Sequence, residues 1–186
     1  LSNRKLSDRV KGIDEGDIGG IPVTYHVWDL SRLHRMVMSG KGKEDMDIDL
    51  MDEYQQMIPC LPAHLTDASY EAYLAVVPGD LLASIYDKWG TRLLEQNVRC
   101  FLQARSTVNK GIRSTILGEP EMFFAYNNGV TATAESVELV ENAGRTEIKS
   151  IRNLQIVNGG QTTASIFSAC KKDKADLSSI FVQMKL

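Results

Sequence analysis

The sequence predicts an α+β or mixed α/β fold: a mixed sheet, two helices after residue 79, and a strand–glycine turn–helix element at 154–170. Three observations predict it. Apolar and polar residues alternate in MDIDL (46–50) and VTATAESVELV (130–140), the mark of strands with one wet face. From Asp80 the period lengthens, and Leu82, Ile85, Tyr86 and Trp89 fall on one helical face. Asparagine and glycine clusters at 127–129, 142–144 and 158–160 punctuate the second half as turns.

The composition admits such a fold. A chain of 186 residues, 43% hydrophobic and 24% charged, is ordinary for a globular protein. At this length roughly 70% of the unfolded surface can be buried, so neither disulfides nor a metal are needed to hold a core. Net charge is −3, with 24 acids against 21 bases, so an electrostatic argument for a polyanionic partner must be local. No apolar run approaches the roughly 20 residues needed to span a bilayer, and no membrane association is expected. Cys60, Cys100 and Cys170 are unpatterned and odd in number, which reads as reduced thiols in a cytoplasmic protein. The chain begins at Leu1 and stops at Leu186 inside FVQMKL, a strand-like run, so it reads as a piece of a longer polypeptide.

Residues 1–20 are charged and Gly-rich and read as a connector. IPVTYHVW (21–28) is β-rich, and Asp29 is placed to cap a helix through Ser31, Leu33, Met36 and Val37. Ser39–Lys43 breaks that helix, MDIDL follows as a strand, and Pro59 and Pro62 mark a loop. AYLAVV (72–77) is a strand ended by Pro78-Gly79. A seam near Pro78 divides an N-terminal portion, 1–78, from a core at 79–186. In that core the helix from Asp80 ends at Gly90, and a second is expected from about Thr91 to Ala104. MFFAY, Asn127-Asn128-Gly129 and VTATAE then read as strand, hairpin turn and strand. Asn142-Ala143-Gly144 is a second turn, LQIV (154–157) a short strand, and Gln161 to about Cys170 a helix.

The last element is the strongest candidate for chemistry. Gly159 and Gly160 leave the main chain uncovered, and the helix that follows offers unpaired N–H groups. Thr162 and Thr163 add hydroxyls; Asn158 and Gln161 add carboxamides. Such a donor-rich pocket suits a phosphate oxygen, although a tight turn with capping threonines explains the same residues. Asn127 and Asn128 would join it if the two turns meet in space. A third feature is the stretch 88–115, where Lys88, Arg92, Arg99, Arg105, Lys110 and Arg113 face one acid, Glu95: six minus one, or +5. That charge would attract phosphates, or simply form a solvated face. Asp45, Asp47 and Asp49 have calcium-loop spacing, but Leu50 and Gln56 stand where Gly and Glu are required, and no metal site is expected.

Three runs, NVRCFLQARSTVNKGIRSTI (97–116), EPEMFFAYNNGVTATAE (119–135) and LQIVNGGQTTASIF (154–167), together resemble the AIPR family, named for abortive-infection phage resistance. The matching residues are Asn97, Arg99, Phe101 and Leu102; Val108, Asn109 and Ile112; Phe123, Asn127, Asn128, Gly129 and Thr131; Ile156, Asn158, Gly159, Gln161 and Thr162. HVWDLSRLHRM (26–36) looks like the family's upstream segment. The resemblance implies bacterial or archaeal defence against phage, as the core of a longer protein, and a joint polar site at both turns to which Arg99, Asn109 and Lys110 contribute. NGGQTTAS is also distantly similar to the turn of the sulfiredoxin/ParB-like group, whose D-G-Q-H-R branch carries H-R where this chain has Thr162-Thr163.

Three function classes follow. The first is a binding module that holds nucleic acid or a nucleotide through Arg99, Asn109, Lys110, Asn127, Asn128, Asn158, Gly159, Gly160, Gln161, Thr162 and Thr163, partnered by the remainder of its own polypeptide and needing no cofactor. The second is part of a nuclease or nucleotide-modifying enzyme, which alone would require Mg²⁺. The third is a scaffold for protein contacts in which the turns only stabilise the core.

Overall fold

The structure, a computed structural model, describes residues 14–18, 21–25, 45–94 and 107–186. The expected helix after Asp29 lies outside the described residues, as do Cys100, Arg99 and most of the segment 91–104. Strands β1 (Asp14–Ile18) and β2 (Ile21–Tyr25) form an antiparallel pair, so the connector expected over 1–20 ends in a strand.

The principal sheet has eight strands: β3 (Asp47–Asp49), β4 (Ile58–Ala63), β5 (Ala72–Pro78), β6 (Val130–Thr133), β7 (Ser136–Asn142), β8 (Arg145–Arg152), β9 (Gln155–Asn158) and β10 (Phe181–Lys185). Their order is β3-β8-β4-β5-β10-β6-β9, with β7 on the other side of β8. Every pairing is antiparallel except β6 with β10. The sheet is therefore mixed, as the sequence predicts. It also runs across the seam placed near Pro78, because β4 and β5 lie between β8 and β10.

Alternation decides which face is buried. Along β5, Tyr73, Ala75 and Val77 point inward while Leu74 and Val76 point out. The inner face is covered by helices α2 (Gly79–Trp89) and α5 (Gly160–Ser168), which pack on each other and join rings at Tyr86–Phe167, 5.2 Å between centroids. Helix α2 buries Leu82, Ile85, Tyr86 and Trp89, the stripe read from the sequence, and Gly90 ends it at φ +58°. A third helix, α3 (Thr107–Gly118), packs on α5 through Ile112 and Ile116. Among the described residues no helix is long and apolar enough to cross a membrane.

Four local expectations are corrected. The Pro59/Pro62 loop is strand β4. Its first half pairs only with β8 and its second only with β5, so each proline sits where one flank needs no ladder bond. After Asp49 the chain forms a short helix, α1 (Leu50–Tyr54), because Asp49 Oδ1 accepts the Asp52 N–H at 2.8 Å and caps it. Residues 91–94 do not begin a helix of the α type: Gly90–Leu93 is one 3-10 turn, and Leu94 is extended and bridged to Ile156. MFFAY is a 3-10 turn (Pro120–Met122) running into one helical turn, α4 (Phe123–Tyr126), since short apolar runs carry no period that separates strand from helix.

Candidate functional site

With MFFAY helical, Asn127-Asn128-Gly129 is not a hairpin turn; it joins α4 to β6. Asn127 Oδ1 accepts the Gly129 N–H at 2.9 Å, an Asx turn that mimics a backbone turn. Gly129 lies at φ +73°, and a Cβ there would overlap the Gln183 carbonyl of β10. The two-residue hairpin turn with both residues at positive φ is Ala143-Gly144 instead, between β7 and β8.

Strand β9 delivers the other turn to the same place. A bulge at Val157 sets Asn158 opposite Thr131 of β6, so Asn158 ends its strand beside the 127–129 turn. Gly159 follows at φ +85°; a Cβ on it would lie 2.5 Å from the Gly129 carbonyl oxygen. The two turns are thus in van der Waals contact. They are also stitched: the Thr162 hydroxyl donates to Asn127 Oδ1 at 3.2 Å across 35 residues of sequence.

The remaining groups divide between structure and surface. Asn158 Oδ1 accepts the Gly159 N–H at 2.8 Å. Thr163 is fully buried at 0% exposure, and its hydroxyl and N–H both donate to the Gly159 carbonyl, at 3.3 and 3.1 Å. Its hydroxyl therefore faces the protein, not a ligand. Gly160 and Thr162 are buried, Gln161 and Asn127 half-buried, Asn128 and Asn158 exposed. No side chain caps α5, so its leading N–H groups carry the helix's fractional positive charge without a side-chain acceptor. The side-chain oxygens of Asn127 and Asn158 are both engaged by internal donors, and among the described residues neither of their Nδ2 groups has a hydrogen-bond acceptor. Asn127 and Asn158 therefore have their amide donors left to offer, while the carboxamides of Asn128 and Gln161 keep both donor and acceptor.

The basic stretch is less positive in space than along the chain. Lys88 Nζ is 2.7 Å from Glu53, and Arg113 makes a two-pronged bond to Asp173 at 2.6 and 2.8 Å. That contact pushes the guanidinium of Arg113 upward and the carboxyl of Asp173 downward from their ordinary values. Lys88 and Arg92 lie over the Trp89 ring, at 4.8 and 5.1 Å. Lys110 is exposed on α3, Asn109 lies in the first turn of that helix, and Arg99 and Arg105 are outside the described residues.

The acids considered for metal are also engaged. Asp45 pairs with Arg152, and Asp49 caps α1. Cys60 is a buried free thiol, raised above its ordinary range by burial first and then by Glu141 and Glu147. One residue escaped sequence reasoning: Gln183 of β10, whose Nε2 donates to the Asn128 carbonyl at 3.1 Å and so buttresses the first turn. Its only signal is an outward place in the alternation of FVQMKL.

Fold and site together define an α+β module whose polar centre is two Asn-Gly turns locked to the start of one helix. The profile of the AIPR protein family matches residues 94–186, half of the chain, and that of the abortive infection phage resistance protein N-terminal domain matches residues 1–35. The chain belongs to the AIPR family, and membership ties it to abortive infection, a form of phage resistance. No curated protein and no solved structure matches it.

Proposed function

We propose that this AIPR core is a binding module which holds a phosphate of nucleic acid or of a nucleotide at the start of α5, between the two turns. The observation that carries the reading is how the asparagines are spent. Asn127 and Asn158 direct their oxygens at internal N–H and O–H donors, which leaves their amide donors beside the uncapped helix start. Two asparagines that have spent their oxygens and kept their amide donors favour an anion. Gly159 and Gly160 allow the close approach, Gly160 and Gln161 supply main-chain N–H groups, and Thr162 and Thr163 hold the frame. Asn128 faces outward to read a base edge. Arg99, Asn109 and Lys110 add charge and donors from the segment that precedes the turns. The reading invokes no metal and no other cofactor.

The test is fluorescence anisotropy with labelled single-stranded DNA, RNA and ATP on the intact chain. Asn127→Asp and Asn158→Asp keep the internal acceptors but replace the amide donors with negative charge. Each is expected to weaken binding at least about tenfold, a loss of about 1.4 kcal/mol. Affinity should also fall with salt, with a log–log slope of roughly −0.7 per phosphate contacted on a single strand. Binding that ignores salt, survives both substitutions, or survives Arg99→Ala with Lys110→Ala sinks the proposal.

A further inference from the structure

The outer face of the sheet carries a second concave feature, which touches the first turn at Asn128. Val76 and Gln183 stand in one row across β5 and β10, and Leu61, Leu74 and Lys185 in the next across β4, β5 and β10. On a two-layer protein these outward positions would ordinarily be polar. Here Leu61 is 70% exposed and Leu74 54%. Phe124 of α4, 46% exposed, walls this floor on one side, and the β7–β8 turn at Gly144–Thr146 walls it on the other. The groove between them has a cavity volume of about 490 Å³. That volume lies within the roughly 300–1,000 Å³ of small-ligand sites.

Charge decides what it takes. The lining includes two cations, Arg145 at the start of β8 and Lys185 on β10, and no carboxylate. The nearest acids of the hairpin stay outside the lining: Glu141 accepts the Thr146 hydroxyl at 2.7 Å and Glu147 accepts Asn142 Nδ2 at 2.9 Å, although the charge of both reaches Cys60 on the groove floor. Neither Arg145 nor Lys185 makes an ion pair among the described residues. Gln183, pinned by its bond to the Asn128 carbonyl, and Thr146 add polar atoms at the rim.

We infer that this groove binds a small amphipathic anion, an apolar body lying on Leu61, Leu74, Val76 and Phe124 with a carboxylate or phosphate end held by Arg145 and Lys185. The pairing of an aliphatic floor with two cations that have no ion-pair partner among the described residues fits neither a neutral hydrocarbon nor a purely ionic ligand. The groove shares Asn128 with the turn cluster but is lined by none of residues 158–163, so Asn158→Asp and Arg145→Ala with Lys185→Ala test the two sites apart.

Anilinonaphthalene sulfonate and its uncharged parent phenylnaphthylamine share one apolar body, and the sulfonate stands in for the natural anion. Titrated into the intact chain, the sulfonate is expected to bind saturably, one per molecule, at least about tenfold tighter than the neutral dye. Arg145→Ala with Lys185→Ala should erase that difference and leave the neutral dye unaffected. Leu61→Gln with Leu74→Gln, both at exposed positions that leave the core intact, should weaken both dyes. Decanoate in solution should displace the sulfonate where vesicles of phosphatidylglycerol do not. Equal affinity for the two dyes, binding indifferent to either pair of substitutions, or displacement by vesicles alone overturns the inference. So does a sedimentation experiment in which the chain self-associates and Leu61→Gln with Leu74→Gln makes it monomeric, since a second copy would then fill the groove.

Discussion

Asn127 shows how much a single carboxamide settles. Its oxygen accepts from Gly129 and from Thr162, so it shapes its own turn and ties that turn to another. Asn127→Ala leaves one N–H and one hydroxyl without that acceptor, and a loss of about 1–3 kcal/mol is expected in denaturant unfolding, with unchanged slope. Asn127→Asp retains the acceptor and should remain near wild-type stability, which separates folding from binding. A different residue reports on pH. The Tyr73 hydroxyl donates to the Glu71 carboxylate at 2.6 Å, and this bond, followed by burial, pushes the phenol up to about 12. The protonated phenol is thus favoured by the folded state. Its stabilising contribution is whole below about pH 10, the ordinary phenol value, and disappears as pH climbs through about 12. In an absorbance titration of the six tyrosines, one should ionise near pH 12, and Tyr73→Phe should remove that step and flatten the loss of stability above pH 10. At this scale the sequence was informative about which residues matter, because Asn and Gly carry turn chemistry locally. It was silent about Asn127 meeting Thr162, since nothing local encodes a contact across 35 positions.

Among elements, the parallel join of β6 and β10 is the most exacting. Gly129 has to pass beneath the Gln183 carbonyl at positive φ. Gly129→Ala therefore meets both backbone strain and overlap and is expected to cost more than about 2 kcal/mol. Gly144→Ala is the control: φ is +77°, but the space around it is open, so only the backbone term of about 1–2 kcal/mol applies. Thermal unfolding of the two variants side by side checks the contrast. Elements with a clear period were legible: β5, α2 and the β9–α5 unit fall where alternation, helical stripe and glycine turn put them. Those decided by partners were not. Strand β4 carries two prolines and is explained only by its staggered pairing with β8 and β5. Helix α3 contains Gly111 and several hydroxyl and β-branched residues, so its propensity is poor, and packing on α5 supplies what propensity lacks.

For the whole molecule, sheet order matters more than chain order. Strands β3, β4 and β5 precede the Asp80 helix, yet they complete a sheet whose other members follow it. Residues 79–186 expressed without 1–78 lose Ile48, Leu50, Ile58 and Val77, each nearly fully buried. At about 1.5–3 kcal/mol apiece, these match the whole stability of a typical domain, about 5–15 kcal/mol. The shortened chain is expected to show no cooperative thermal transition and to be digested rapidly by trypsin; a sharp transition would mean that the Pro78 seam divides independent units. The family core was readable from its motifs, but its dependence on earlier strands was not, because pairing across so many residues leaves no local trace. Strand β10 holds the middle of this arrangement, between β5 and β6, although it is made after both. During synthesis on a ribosome, the two edges it will occupy must wait, open, until residues 181–185 have emerged. A nascent chain stalled short of that point presents a pair of unsatisfied strand borders, a state in which nascent-chain helpers or proteases find their opening.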